Sequence, residues 1–409
     1  MRAECVCRLC GASDFSTVIS LPNMAVTHTL RKTDRSPDPR FTLTFDTCRT
    51  CGLLQIVEPI SPDVLYVETD TYLTGFHKPR HLDDLITTAI TFEDPTTVVD
   101  VGCNDGSLMD ALVRHGYPSV VGVEPNRPAA EVARQKGYEV HGELLSIALA
   151  NKLIAKHGAF GAAYVRHVIE HVGNLDEFFG ALRCLVRDEG LLVVELPHVE
   201  PGFQQGNPAI LWEEHVNYLT EPHAIALFAS HGFELLDRRY YAFGGGAVAF
   251  ITRKKALPAR REINLAAQST LRMVEHFVSQ FGRYRAALNA IVTRARKAGY
   301  QVAMYGAAPR SCIVAAACEI TDSIDIVIDD RSEIQGYLMP GTGRRIEALA
   351  PACARIEKKL LCLLGVGSEN EFKVRSKLVE QLRFEPVCIS LFHPRNTLDS
   401  ISQAARCLS

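Results

Sequence analysis

Two sets of residues have the types and spacing to do chemistry. The stretch LWEEHVNYLT, Leu211 to Thr220, sets the chain's single tryptophan, Trp212, beside the carboxylates Glu213 and Glu214 and the imidazole of His215, with Tyr218 close behind. Histidine titrates nearest neutral pH, so it suits the removal of a weakly acidic C–H proton, and an adjacent carboxylate can hold the imidazolium that results. The second set is made of cysteines. Cys7-Arg8-Leu9-Cys10-Gly11 and Cys48-Arg49-Thr50-Cys51-Gly52 are two C-x-x-C-G knuckles, each able to point two thiolates at one ion with a glycine behind the turn. Four thiolates match the tetrahedral preference of zinc, and a closed four-sulfur shell is structural rather than catalytic. Cys5 lies just outside the pattern.

The elements that must hold these residues follow from the rest of the chain. At 409 residues it is too long for one ordinary core, which implies two or three domains. A net charge of −3 and the lack of long like-charge blocks argue against nucleic acid as a partner. The opening MRAECVCRLCGASDF has no apolar core of a signal sequence, and no later run approaches the roughly 18 apolar residues that cross a bilayer, so a cytoplasmic protein without membrane attachment is expected. Thirteen cysteines, an odd number, suit a reducing compartment.

From Thr96 the pattern alternates strand and helix. Thr96 to Gly102 is a β-branched run, Cys103-Asn104-Asp105-Gly106 a turn, Ser107 to Val113 a helix, and Ser119 to Val123 a second strand that stops at Glu124. A glycine turn between strand and helix, with an acid closing the next strand, is the geometry that grips an adenosine ribose. The turn is not G-x-G-x-x-G, and Asp105 would repel a pyrophosphate, so a ligand without phosphates fits better.

The combination VVDVGCNDG plus GVEP resembles the first two motifs of class I S-adenosylmethionine-dependent methyltransferases. That resemblance implies cofactor contacts from Asp100, Gly102, Asn104, Asp105, Gly106, Glu124 and Pro125. Tyr164 to Val172, YVRHVIEHV, is similar to the fourth-strand segment of these enzymes and adds Arg166 and His167, and Leu191 to Pro197 looks like the strand that follows. Phe233 to Tyr241 and Ala247 to Thr252 read as strands joined at Phe243-Gly244-Gly245-Gly246, either a plain hairpin or a loop that lets substrate approach backbone.

Pro258 to Gly299 reads as a polar helix with an apolar stripe of Leu271, Val274, Phe277, Val278 and Phe281. A second α/β unit begins after it: strand 301–305, turn 306–311, helix 312–320, a strand over 324–331 that ends in acids, and another over 359–366. Its turn, Tyr305-Gly306-Ala307-Ala308-Pro309-Arg310-Ser311, puts Arg310 beside a helix N-terminus that could hold an anionic group or could be only a tight helix start.

Taken together, the cysteine knuckles, the methyltransferase motifs, the YGAAPRS turn and the Ile328 to Thr342 segment resemble one family over nearly the whole chain, the three-domain sugar-nucleotide C-methyltransferases of deoxysugar and antibiotic pathways. The resemblance implies an α/β fold in three parts: a zinc-binding domain over 1–70, a class I methyltransferase domain with a Rossmann-like core over 71–255, and a helical linker plus Rossmann-like substrate domain over 256–409. It implies S-adenosylmethionine and structural zinc, and a monomer or weak homodimer. The nucleotide-sugar would lie between the central and C-terminal domains, near Trp212, Tyr218, Tyr305, Gly306, Arg310, Asp329 and Arg331. It also implies His215 as the base next to a sugar ketone, aided by Glu214, with His171 or Tyr72 bonding the developing oxyanion.

One departure stands out. Trp212-Glu213 replaces the Tyr-His that precedes Glu-His in the family, so a hydroxyl near the substrate is missing, and the same base could serve O- or N-methyl transfer. A non-catalytic module that keeps the cofactor fold is the third alternative. His215 could also be an ordinary histidine ahead of the helix that starts at Thr220, and His115, His157 and His231 read as surface residues.

Overall fold

The computed structural model describes residues 5–28, 30–32, 38–61, 65, 79–256, 267–357, 359–392 and 397–408. Three sheets organise them. The first opens with an antiparallel hairpin, β1 (Phe15–Ala25) and β2 (Arg40–Cys48), which buries alternate residues such as Ile19 and Leu21 on one strand and Leu43 and Phe45 on the other. The short β3 (Leu54–Gln55) follows the second knuckle and pairs with β2.

The central sheet is parallel through β4 (Thr97–Val101), β5 (Ser119–Val123), β6 (Glu139–His141), β7 (Phe160–Arg166) and β8 (Val186–Pro197). Its strands are apolar on both faces because helices cover both. Val99, Val101, Val165 and Val194 pack into one layer, while Val98, Tyr164, Leu191 and Val193 pack into the other. Next in the chain, β9 (Asn217–Tyr218) leaves this sheet and pairs with β3, Leu54 opposite Tyr218 and Gln55 opposite Asn217. The central sheet then closes with an antiparallel hairpin, β10 (Phe233–Tyr241) and β11 (Ala247–Lys254), in the order β10-β11-β8-β7-β4-β5-β6. The order reverses between β4 and β7, which opens a ligand crevice at the carboxyl ends of those strands.

A long helix, Ala267–Lys297, leads to the third sheet, with Val274, Phe277 and Phe281 of the stripe buried and Leu271 and Val278 half-buried. Its strands are β12 (Gln301–Tyr305), β13 (Ile326–Ile328), β14 (Leu338–Met339), β15 (Arg344–Glu347), β16 (Leu360–Leu364) and β17 (Val387–Ser390), ordered β14-β15-β13-β12-β16-β17. Two boundaries differ from the periodicity. The strand expected over 324–331 shrinks to three residues, because the Asp325 carboxylate accepts from Val302 N and Arg296 while Asp329 turns back onto backbone N–H groups. The helix expected from 312 starts at Pro309, whose missing N–H costs nothing in a first turn, so Arg310 lies inside that turn.

The segment Gln335 to Thr342 docks on the N-terminal domain. Leu338 N donates to Arg31 O (2.7 Å), Gly341 N to the Asp38 carboxylate (2.9 Å) and Arg40 to Gly341 O (3.2 Å). One apolar cluster joins all three parts of the chain: Leu21 and Phe45 from the first sheet, Leu211 and Tyr218 from the middle, and Phe277 and Ile313 from the C-terminal part. Among the described residues no helix is long and apolar enough to cross a membrane.

Candidate active site

The sulfurs of Cys7, Cys10, Cys48 and Cys51 all lie within 4.8 Å of one another, with Cys7–Cys51 and Cys10–Cys48 at 3.6 Å. A zinc–sulfur bond of about 2.3 Å implies tetrahedral edges of roughly 3.8 Å, so the donor set fits zinc. Gly11 and Gly52 close the knuckles by donating to Cys7 O and Cys48 O (2.8 Å each) at φ +75° and +81°, a conformation glycine takes without strain. Gln55 Nε2 points at Cys7 Sγ from 3.3 Å and steadies that ligand. Cys5 is outside the cluster.

At the end of β4 the turn is equally constrained. A Cβ on Gly102 would stand 2.3 Å from Val168 Cγ2, so the backbone comes as close to the 168–171 segment as a glycine permits. Asp105 accepts from Ser107 N (3.0 Å) and starts the helix Ser107–Arg114. Glu124 is buried and accepts from Asn104 N (2.9 Å) and Asn126 N (2.8 Å), which fixes its carboxylate over the turn, and Pro125 beside it is exposed. Three buried polar atoms in this cradle have no partner: Asp100 Oδ2, Asn104 Oδ1 and Ser107 Oγ. Burial, with Glu124 and Asp105 nearby and Arg166 opposing, pushes Asp100 up to about 7. A cradle of acids with unused acceptors fits a ligand that carries positive charge and no phosphate, which describes the amino-acid sulfonium of S-adenosylmethionine. Asp100, Asn104, Asp105, Gly106 and Glu124 would hold it.

A hub that the sequence did not reveal lies beside this cradle. Glu195, fully buried at the end of β8, accepts from Arg166 Nε (2.7 Å), His167 Nε2 (3.2 Å) and His81 Nε2 (3.0 Å). Burial alone would raise its pKa, but these partners outweigh it and hold the carboxyl well below the usual range. Burial likewise works against charge on His167, yet Glu170 and Glu195 lift it to about 9. His81 stacks on Tyr241, with ring centroids 4.4 Å apart, and Phe243 lies against both His81 and His167. A carboxylate that gathers the consecutive Arg166 and His167 together with His81, far away in the chain, has no signature in local spacing.

The LWEEHVNYLT loop crosses the same end of the sheet. Val216 N donates to Glu170 O (2.8 Å), and Asn217 Nδ2 donates to Ile169 O (3.1 Å) and Val172 O (2.8 Å), so β9 is stitched to the short helical turn after β7. His215 is half-buried, its ring 4.8 Å from those of His171 and Trp212. Burial, then repulsion from His171 and His167, lowers its pKa to about 3, with Glu170 pulling the other way. Glu170 itself is held to about 2, because His167, His171 and His215 outweigh its burial.

Glu214 does not engage His215. Its carboxylate lies 2.6 Å from His28 Nδ1 and 3.9 Å from His171 Nδ1, while its carbonyl accepts from His171 Nδ1 (3.0 Å). The physical reason is direction: consecutive side chains in this tight turn diverge, and the Glu214 side chain falls on the N-terminal domain's side. Glu213 is also buried, accepting from Thr27 N (2.6 Å) and Thr27 Oγ1 (2.9 Å), and burial pushes it up to about 7. Trp212 gives its indole N–H to Thr27 Oγ1 (3.0 Å).

Other expected contacts are spent elsewhere. Tyr218 is 1 % exposed; its hydroxyl accepts from Trp212 N (2.8 Å) and donates to Trp212 O (3.2 Å), which pins the loop rather than lining a crevice. Tyr305 is 2 % exposed in the C-terminal core and donates to Asp330 (2.8 Å). Asp329 accepts from Ala307 N and takes both arms of Arg331 (3.0 and 2.9 Å), so this acid and this arginine satisfy each other. Gly306, at φ +102°, would place a Cβ 2.3 Å from Gly365 O and marks close backbone packing. Arg310 reaches across to the central domain, donating to Gly244 O (3.1 Å) with its guanidinium 4.2 Å from the Phe392 ring, so the glycine loop of the β10–β11 hairpin lies on the boundary with the C-terminal part. Tyr72 lies outside the described residues. His115, His157 and His231 each pair with a carboxylate away from this site and are partly buried.

Comparison with known proteins matches this layout in sequence order. A zinc binding domain model covers residues 7–66, a methyltransferase domain model 76–238 and a C-methyltransferase C-terminal domain model 252–360. The chain is 28 % identical over 391 residues to the C-methyltransferase NovU of Streptomyces niveus, spanning 90 % of this chain and 92 % of that protein. It is 28 % identical over 101 residues to the ubiquinone biosynthesis O-methyltransferase of Bartonella bacilliformis, 24 % of this chain and 39 % of that one. Among solved structures, a SAM-dependent methyltransferase from Archaeoglobus fulgidus is similar at a TM-score of 0.34 and 16 % identity, over 42 % of this chain and 94 % of that one.

Proposed function

Because the chain belongs to the S-adenosylmethionine-dependent methyltransferases that join a zinc-binding domain, a methyltransferase domain and a C-methyltransferase C-terminal domain, we propose that it methylates a carbon of a nucleotide-activated keto-deoxysugar through an enolate formed by His215. The observation that carries this reading is the pairing of His215 with His171, on the crevice end of the sheet that also holds the Gly102 turn.

Bound S-adenosylmethionine supplies an electrophilic methyl group, which an acceptor carbon attacks only as an enolate. His215, present as the free imidazole, takes the proton next to the ketone, and the nearby Glu170 carboxylate favours the imidazolium that forms. His171 donates from Nδ1 to the Glu214 carbonyl, which leaves Nε2 as the ring atom that can face the oxyanion or relay the proton. The anionic end of the acceptor is assigned to the boundary between the glycine loop and the first turn of the helix Pro309–Ala317, where Arg310 lies.

Trp212 favours a second reading, O- or N-methyl transfer, since its indole is spent on Thr27 and no hydroxyl from this position reaches the acceptor. Deuterium uptake decides between the two. A keto-sugar nucleotide incubated in D2O with enzyme and no methyl donor should exchange the proton at the acceptor carbon. Methylation that proceeds without any such exchange would reject the enolate and favour the heteroatom reaction.

A further inference from the structure

The loop that carries His215 is built in large part by the zinc-binding domain. Immediately after the base, Val216 O accepts from Arg8 Nη1 (3.3 Å), inside the first knuckle, and from Ile56 N (3.1 Å). The strand β9 that follows is an edge strand of the first sheet. Immediately before the base, three consecutive side chains are engaged by two consecutive residues beyond β1. Trp212 and Glu213 are bonded to Thr27, and Glu214 is paired with His28.

His28 has a carbonyl at one ring nitrogen and carboxylates close to the other. Nε2 donates to Leu65 O (2.8 Å), and Nδ1 lies 2.6 Å from the Glu214 carboxylate, with the Glu213 carboxylate at 4.0 Å. Burial disfavours charge on this ring, but the Glu214 and Glu213 carboxylates and the Leu65 carbonyl outweigh it and raise its pKa above the ordinary histidine value. Among the described residues Glu214 makes no hydrogen bond or ion pair with His215.

Resting on the reading of His215 as the base, we propose that Thr27 and His28 are positioning residues for proton abstraction. They clamp Glu213 and Glu214 so that His215 faces the acceptor with no carboxylate of its own loop against it. An unclamped Glu214 carboxylate beside His215 would hold the imidazole in its protonated form, which cannot accept the substrate proton. The clamp also fixes the Glu214 carbonyl, and through it the His171 tautomer.

The test uses the full-length zinc-loaded protein and three variants. His28→Gln can keep the bond to Leu65 O but removes the titratable ring that faces Glu214. Thr27→Val removes the hydroxyl at similar shape, and Thr27→Ser restores it. His28→Gln and Thr27→Val should lower both turnover and donor-free deuterium exchange by roughly tenfold or more, the scale of a misplaced base, with S-adenosylmethionine affinity within about twofold of the parent. Thr27→Ser should return to parental turnover.

In His28→Gln the acid limb of the kcat/KM profile should also move to higher pH. Glu214 and Glu213 lose there the ring whose raised pKa lets it offset their charge, while Glu170, His171 and His167 still face His215, so the net field favours a proton on it. Parental turnover and profile in both variants, or a loss that merely tracks missing zinc, overturns the inference. If His215→Ala still exchanges the acceptor proton at the parental rate, the base reading itself fails and this inference with it. If His215→Ala abolishes exchange while the His28 and Thr27 variants leave it untouched, only the clamp fails.

Discussion

His215 is held as a free imidazole by burial and by two neighbouring histidines. A base with a lowered pKa stays deprotonated to lower pH, so the acid limb of kcat/KM in the parent enzyme is expected below the ordinary histidine value of 6.5; a limb at or above that value would contradict a buried, histidine-flanked base. His215→Ala should lower turnover by about a hundredfold or more with S-adenosylmethionine affinity nearly intact, checked by steady-state kinetics beside calorimetric titration. At this scale the sequence was readable where chemistry is local. Spacing and neighbours pick out the knuckle cysteines, the Gly102 turn, Glu124 and, as the proposed base, His215. Thr27, His28, His81 and Glu195 do not, because each draws its meaning from a partner far away in the chain, and a single threonine or histidine carries no periodicity.

Turns and strand ends do the positioning at the level of elements. Gly102 is needed twice, once for its φ of +79° and once for the 2.3 Å approach to Val168. Gly102→Ala is expected to destabilise the protein by about 1–3 kcal/mol and to weaken S-adenosylmethionine binding, measured by thermal unfolding and titration. Adding Val168→Ala should recover part of the loss but not all, since the backbone strain remains. Short continuous apolar runs made β4 and β5 legible, the resemblance of 164–172 and 191–197 to methyltransferase segments made β7 and β8 so, and the glycine hairpin before β11 was legible as well. The shortened β13 and the early helix start at Pro309 were not, because side-chain bonds to strand ends and proline's tolerance in a first turn override periodicity. The Tyr305, Asp329 and Arg331 side chains show the same limit: a motif at a strand end specifies the turn, while the structure decides whether its side chains face ligand or one another.

For the whole molecule, the three parts meet in one apolar cluster that includes Leu211 and Tyr218 of the loop carrying the proposed base, so a change to this cluster is expected to affect stability and activity together. Stripping zinc with a strong chelator should abolish turnover while leaving measurable S-adenosylmethionine binding, since the cradle at the ends of β4 and β5 lies in a separate sheet from the knuckles. Turnover that survives complete zinc loss would show that the loop holds its shape unaided. The domain order was legible from three motif sets spaced along the chain. What the order concealed is that β9 belongs by sequence to the middle part and by hydrogen bonding to the first.

That crossed membership has a consequence for engineering. A recombination joint placed neatly between residues 66 and 76, where the zinc-binding and methyltransferase family models part, would graft a foreign partner onto β9 and onto the glutamates that Thr27 and His28 grasp. The unit to be moved is therefore discontinuous: a chimera that exchanges the knuckles without the loop from Trp212 to Tyr218 is expected to leave the proposed base, His215, with nothing to aim it.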